Sequence, residues 1–252
     1  MDAVASRAIR GDGTTEAEWH SWPGLSALPT IDLHALVPEG ARAVVVAPHP
    51  DDEVLSVGGL LAQLADIGTP VAVIAVTDGT ASHQGSTEWP ADRLAQTRPS
   101  ETLQALRCLG LHIEPIRLGL PDGGLQVSRA LLAARLVQLL RPRDVVFTTW
   151  RQDGHPDHEA TGEACALAVA STGARLVEVP VWGWHWAGPG DARVPWQRAF
   201  RVVLSDDAVR RKRAAVQAFT SQLLHDASTG AGPVLRDTTV QRAARPYEVV
   251  FL

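Results

Sequence analysis

Continuous apolar runs alternate along this chain with segments whose apolar residues recur at helical spacing. Residues 43–47 (Ala-Val-Val-Val-Ala) and 71–76 (Val-Ala-Val-Ile-Ala-Val) have no polar position, as expected of strands covered on both faces. Between them, Leu55, Leu60, Leu61 and Leu64 predict a helix over 55–67, which Gly68 stops. The pattern continues with a helix over 94–109 closed by Gly110, a strand over 113–118 and a helix over 130–140. A strand over 144–149, a helix over 158–170 and strands over 175–179 and 198–204 follow. Ser205 is placed to cap a helix over 206–219, and 247–251 reads as a last strand. Strands alternating with helices imply βαβ units. The expected fold is therefore α/β, a Rossmann-like, doubly wound, mostly parallel sheet with helices on both faces.

Residues 1–40 show no sustained period and carry Trp19, Trp22, Pro23 and Pro29. They read as an arm packing onto a single domain that spans 41–252. No internal repeat, low-complexity tract or linker interrupts that domain.

Composition narrows the function. Of 252 residues, 45% are hydrophobic and 20% charged, which is globular rather than disordered. The charge of 23 − 28 = −5 leaves no basic stripe, so nucleic acid is not an expected partner. Cys108 and Cys165 fall in helical segments without a CxxC pair, which excludes a disulfide framework or a cysteine-built zinc finger. The segment from Met1 to Gly11 has no apolar core, so no signal peptide is expected, and no run of roughly 18 apolar residues predicts a membrane span. The expectation is a cytoplasmic enzyme, with a homo-oligomer left open. The nine histidines remain to be explained.

In an open parallel sheet, ligands bind at the carboxyl ends of the strands. Four polar clusters fall there. They are Pro48-His49-Pro50-Asp51-Asp52-Glu53, Thr77-Asp78-Gly79, Gly119-Leu120-Pro121-Asp122-Gly123-Gly124, and the run from Trp150 to His158. Two contain His-Pro-Asp, with proline at a position suited to a first helical turn. On such a turn His49 and Asp52 share a face while Asp51 points elsewhere, and His155 and His158 repeat the spacing. His49, Asp52 and one of those two histidines would supply three nitrogen and oxygen ligands, leaving a fourth position for water as in a catalytic zinc site. Such a metal brings the pKa of its water to about 7. A second carboxylate can then take the water's proton, and a second histidine can stabilise the oxyanion or protonate a leaving amine. Acidic residues in a first turn also favour the helix dipole by about 0.3–1 kcal/mol each, which would account for one cluster but not for two at strand ends.

The run Ala47-Pro-His-Pro-Asp-Asp-Glu53 with His155-Pro-Asp-His158 resembles the PIG-L/LmbE-like zinc-dependent deacetylases of N-acetylglucosaminyl compounds. The likeness extends from about residue 42 to 222 and takes in Thr77-Asp78-Gly79, Ser82-His83, Arg98, Glu101, Leu118 to Gly123, Lys212 and Ser221-Gln222. It implies His49, Asp52 and His158 as metal ligands and Asp51 as general base. It further implies His155 as electrostatic or acid partner, with Asp157 beside it supporting the site. Arg98 and Asp122 match positions that contact sugar hydroxyls. The implied cofactor is Zn2+, although a nitrogen and oxygen ligand set also admits Fe2+. The implied substrate is a small-molecule amino-sugar conjugate. A metal-retaining, non-catalytic sugar-binding member is the alternative.

Two features bear on the substrate. The mycothiol branch has tyrosine two residues before the first histidine of its second motif, where this chain has Asp153, and that disfavours a mycothiol-pathway precursor. Trp182, Trp184, Trp186 and Trp196 crowd around His185, and Trp184 is the expected stacking contact for a sugar or an aromatic aglycone. With the N-terminal arm, this segment resembles the antibiotic-tailoring members, whose substrates are glycosylated natural products.

Overall fold

The computed structural model describes residues 7–252, so the first six positions of the expected arm lie outside the described residues. The arm carries three short helices, α1 (Glu16–Ser21), α2 (Pro23–Ala27) and α3 (Leu33–Leu36). It then enters β1 (Arg42–Ala47), α4 (Asp52–Asp66), β2 (Val71–Ala75), α5 (Ala91–Cys108) and β3 (Ile116–Arg117). There follow α6 (Leu125–Leu139), β4 (Asp144–Thr149), α7 (Pro156–Thr172), β5 (Arg175–Val179) and α8 (Gly183–Trp186). The chain closes with β6 (Ala199–Val203), α9 (Asp206–Val216), α10 (Thr220–Leu223), α11 (Asp237–Arg242) and β7 (Tyr247–Phe251).

The seven strands form one sheet in the order β3-β2-β1-β4-β5-β7-β6. The first five run parallel, and β7 lies antiparallel between β5 and β6. The α/β, mostly parallel architecture expected from the alternation is what the chain adopts. Strand β3 is shorter than the run 113–118 suggested. It is an edge strand, and Pro115 ahead of it has no N–H to give a ladder.

Strand periodicity divides the core. Ala43, Val45, Val145 and Phe147 face one side, among buried residues of α4, α5 and α9. Val44, Val46 and Val146 face the other, against Leu132, Leu136, Ala164 and Cys165 of α6 and α7. A third cluster, with Trp19, Leu25, Trp150, Trp184 and Phe251, fastens the arm to the antiparallel end of the sheet.

Helix α4 is broken at Val57 (φ −132°, ψ 23°). The break is satisfied from outside: Glu248 on β7 accepts from Gly59 N at 2.7 Å and Leu60 N at 2.8 Å. Lys212 on α9 donates to Leu55 O at 3.1 Å and to Glu248 at 2.6 Å. Gly59 is needed at this point, since a Cβ there would stand 2.4 Å from Leu204 Cδ1. Helix α4 is thus pinned to the sheet at Gly59 and Leu60, about two turns beyond Asp52.

Candidate active site

β1 and β4 are neighbours, and the strand order reverses between them. The loops leaving their carboxyl ends diverge to opposite faces and leave a crevice. His49, Asp51 and Asp52 enter it from the β1 side, and His155, Asp157 and His158 from the β4 side. A cavity of about 330 Å3 opens above them.

Asp52 Oδ2 is the hub. It accepts from His49 N at 3.0 Å and lies 3.3 Å from His49 Nδ1 and 3.2 Å from His158 Nε2. Ligand atoms about 2.1 Å from a tetrahedral zinc stand about 3.4 Å apart, so these spacings suit a metal shell. His158 is fully buried, yet its Nε2 makes no aligned hydrogen bond. An orphaned nitrogen facing a carboxylate and a second imidazole fits a site that takes a divalent cation. Among the described residues two further groups around His49, His155 with His158 and Asp122 with Asp157, also have donor atoms within 4.8 Å of one another.

The far side of His49 is also held. Its Nε2 lies 3.1 Å from Asp122 Oδ1 and 3.3 Å from Asp157 Oδ2. Asp157 in turn accepts from Gly123 N at 2.7 Å and Leu125 N at 3.0 Å. Asp122 accepts from Ala81 N at 2.7 Å. Burial would raise the Asp122 carboxyl, but His49 and Ala81 outweigh it and hold the group down at about 2.

Charge separates the three histidines. Burial opposes protonation of each, and for His158 the carboxylates of Asp52 and Asp153 reverse this, raising it to about 9. Asp122, Asp157 and Asp52 raise His49 in the same sense. His155 is driven down to about 3, by burial first and by His158 and His49 next. Asp157 N donates to its Nδ1 at 3.2 Å, so the neutral ring carries its proton on Nε2. Asp52 goes the other way: burial raises it, and the two imidazoles beside it lower it below the ordinary range.

Asp51 differs from the expectation of a residue pointing away. Pro50 lies ahead of the helix rather than in it, and Asp51 is the N-cap residue of α4 at φ 124°, a region L-residues rarely occupy. That turn brings its carboxylate to the cavity wall. Asp51 N donates to Glu53 Oε2 at 3.1 Å, and Arg98 Nη2 reaches Asp51 Oδ2 at 3.0 Å. Burial, reinforced by Asp52 and Glu53 against the pull of Arg98, holds Asp51 well above the usual carboxylate range.

Arg98 lines the cavity but donates from Nη1 to Gly79 O at 2.7 Å and from Nη2 to Pro50 O at 2.6 Å as well as to Asp51. Gly79 has φ +65°, and a Cβ there would fall 2.0 Å from Arg98 Nη1, which gives the Thr-Asp-Gly turn its reason. Glu101, one turn along, accepts from Ser221 N and Oγ, both at 2.7 Å, and so fastens α10 beside the cavity. Trp184, the expected sugar contact, is instead 9% exposed in the third core cluster, with its ring 4.9 Å from that of Trp19. Trp182 takes the cavity position, with its ring stacked 6.4 Å from His155.

A family profile described as PIG-L, GlcNAc-PI de-N-acetylase, matches residues 44–169, half of the chain. The chain belongs to the PIG-L family. It is 29% identical over 231 residues to a 1D-myo-inositol 2-acetamido-2-deoxy-alpha-D-glucopyranoside deacetylase of Corynebacterium diphtheriae, covering 73% of this chain and 77% of that one. It is 31% identical over 158 residues to an enzyme of the same description from Rhodococcus jostii, covering 52% of this chain and 54%, about half, of that relative. Among solved structures it resembles the conserved protein TT1542 of Thermus thermophilus, with TM-score 0.54 and 33% identity over 72% of this chain and 80% of that one. No helix among the described residues is long and apolar enough to cross a membrane.

Proposed function

We propose that this chain is a metal-dependent amidohydrolase that removes the N-acetyl group of an amino sugar carried on a small-molecule conjugate. One observation carries the proposal: His49 Nδ1 and His158 Nε2 stand 3.3 and 3.2 Å from Asp52 Oδ2, with Asp51 on the wall of the same cavity. The named activity of the relatives supports it.

His49, Asp52 and His158 would hold the metal, with zinc the first choice and ferrous iron the alternative. When bound, a divalent cation polarises the amide carbonyl and makes water a nucleophile near neutral pH. Asp51 takes a proton from the attacking water, and its raised affinity for protons suits a base working near pH 7. The water oxygen bonds to the amide carbon while the carbonyl oxygen takes up negative charge. His155 Nε2–H, kept neutral, donates to that oxygen. As the C–N bond breaks, the proton on Asp51 passes to the leaving nitrogen, giving the free amine and acetic acid. The acid's proton then passes to the amine or to solvent to leave acetate.

Trp182 forms a side wall for the sugar, and the aglycone extends through the open mouth of the cavity. Residues 41–252 act as one domain, with the arm covering its antiparallel end. Two cysteines that remain thiols suit the reducing cytoplasm expected from the sequence. The decisive test is amine release from a panel of N-acetylglucosaminyl compounds by the Zn2+-loaded chain, before and after chelation. Turnover lost on chelation and restored by Zn2+ is expected. Unchanged turnover in the chelated, metal-free chain would refute the proposal.

A further inference from the structure

We infer that Asp153 is the residue that sets the tautomer of His158 and ties the metal-ligating ring to the cavity wall. This rests on the metal-site reading above. Asp153 is fully buried, and four N–H groups converge on its carboxylate. Oδ1 accepts from Val181 N at 2.9 Å and Gly183 N at 2.8 Å. Oδ2 accepts from Trp182 N at 2.9 Å and lies 2.8 Å from His158 Nδ1. Three backbone donors already point at this carboxylate, so it meets the ring as an acceptor. In the neutral form that ligates a metal, the ring proton therefore sits on Nδ1, leaving the in-plane lone pair on Nε2, the nitrogen that faces Asp52. A carboxylate behind a metal-bound histidine fixes ring and tautomer in this way, and losing it weakens metal binding about 10–100-fold. Here the same carboxylate also fixes the backbone of Trp182, whose ring stacks on His155.

Asp153→Asn separates the two duties. The amide oxygen in the Oδ1 place still accepts from Val181 and Gly183. The amide nitrogen in the Oδ2 place now donates to His158 Nδ1, which moves the ring proton to Nε2 and blocks the ligating lone pair. The reversed amide would set its NH2 against two backbone N–H groups instead of one, so the first orientation is preferred. The change is nearly isosteric, and a merely structural role would leave the metal largely unaffected.

The experiment is a Zn2+ competition titration against a chromophoric chelator, with circular dichroism as the check on folding. A folded Asp153→Asn chain should bind Zn2+ about 10–100-fold more weakly than the wild type. Zn2+ affinity within twofold of wild type in a folded variant overturns the inference alone. A wild-type chain that binds no Zn2+ overturns the metal-site reading and this inference with it. Should the variant not fold, long-range 1H–15N correlation on the Zn2+-loaded wild type decides. A His158 proton on Nδ1 supports the inference, and one on Nε2 overturns it.

Discussion

Arg98 Nη2 lies 3.0 Å from Asp51 Oδ2 and 2.6 Å from Pro50 O, so one guanidinium edge clamps both the side chain and the backbone of the left-handed turn. Asp51 is the one non-glycine residue at positive φ among the described residues, and such backbone persists where the surroundings over-determine it. Replacing the planar fork by a single ammonium releases one anchor. Arg98→Lys is expected to lower kcat about 100-fold, with Zn2+ affinity little changed, because Asp51 moves and the ligands do not. Steady-state kinetics beside a metal titration checks this. A kcat within threefold of wild type would show that the clamp is dispensable.

Asp51→Asn removes the proposed base and keeps the shape. It is expected to cost about 10^2–10^4 in turnover while a bound metal stays in place. Metal content by elemental analysis, measured on the sample used for kinetics, separates a missing base from a missing metal. Near-wild-type turnover at full occupancy would remove Asp51 from the role.

Lys212 and Glu248 are both buried, and Glu248 also fills the break in α4. Glu248→Gln would leave the ammonium of Lys212 without its counter-charge. The expected loss is roughly 3–5 kcal/mol, the usual result of breaking one side of a buried pair. Lys212→Met combined with Glu248→Gln should recover part of it, because the unpaired charge is gone. Urea unfolding of the single and double variants gives the comparison. A double variant less stable than Glu248→Gln alone contradicts the account.

Trp182 and Trp184 offer a contrast between neighbours. Trp184→Ala empties a core position and should destabilise the protein by roughly 3–5 kcal/mol. Trp182→Ala should leave stability nearer wild type and raise KM for an amino-sugar substrate about 3–10-fold, through loss of a stacking wall. Thermal unfolding and initial rates on both variants would show whether the two effects separate.

The parts that could be read from the sequence follow from this geometry. The two-sided burial of β1 and β4 writes the apolar runs Ala43 to Ala47 and Val145 to Phe147, and those runs place both His-Pro-Asp clusters at strand ends. The tryptophans were harder, because 182, 184 and 186 are two residues apart and such positions do not share a helical face. No periodicity over the four residues of α8 says which one meets the cavity. Asp153 was conspicuous only as a departure from tyrosine. Its contact with His158 spans only five residues, but its hold on Val181, Trp182 and Gly183 arises because the β4 loop folds back on the turn after β5, a tertiary event without a local pattern. The reversed direction of β7 is equally invisible in a five-residue run.

Glu178 gives the chain a pH dependence away from the catalytic cluster. Its carboxylate is 1% exposed and accepts from Arg151 N at 3.0 Å, Arg151 Nε at 2.8 Å and Arg198 Nη2 at 3.1 Å. Burial alone would raise its pKa, but these donors, led by Arg151, hold it below the ordinary 4.5. The unfolded chain therefore takes up this proton first as pH falls. The stability it contributes is complete above about pH 5 and drains away as pH drops through the lower folded value. Because the two guanidinium groups are 41% and 39% exposed, water screens the pair and the contribution is roughly 1 kcal/mol. Glu178→Gln should be less stable than wild type by that amount at pH 7, and the gap should close as pH falls from 5 towards 3. Urea midpoints for both proteins across this range test the sign directly. A gap that stays constant from pH 7 to 3 would mean that the Gln variant is destabilised by packing and not by loss of the ionised carboxylate.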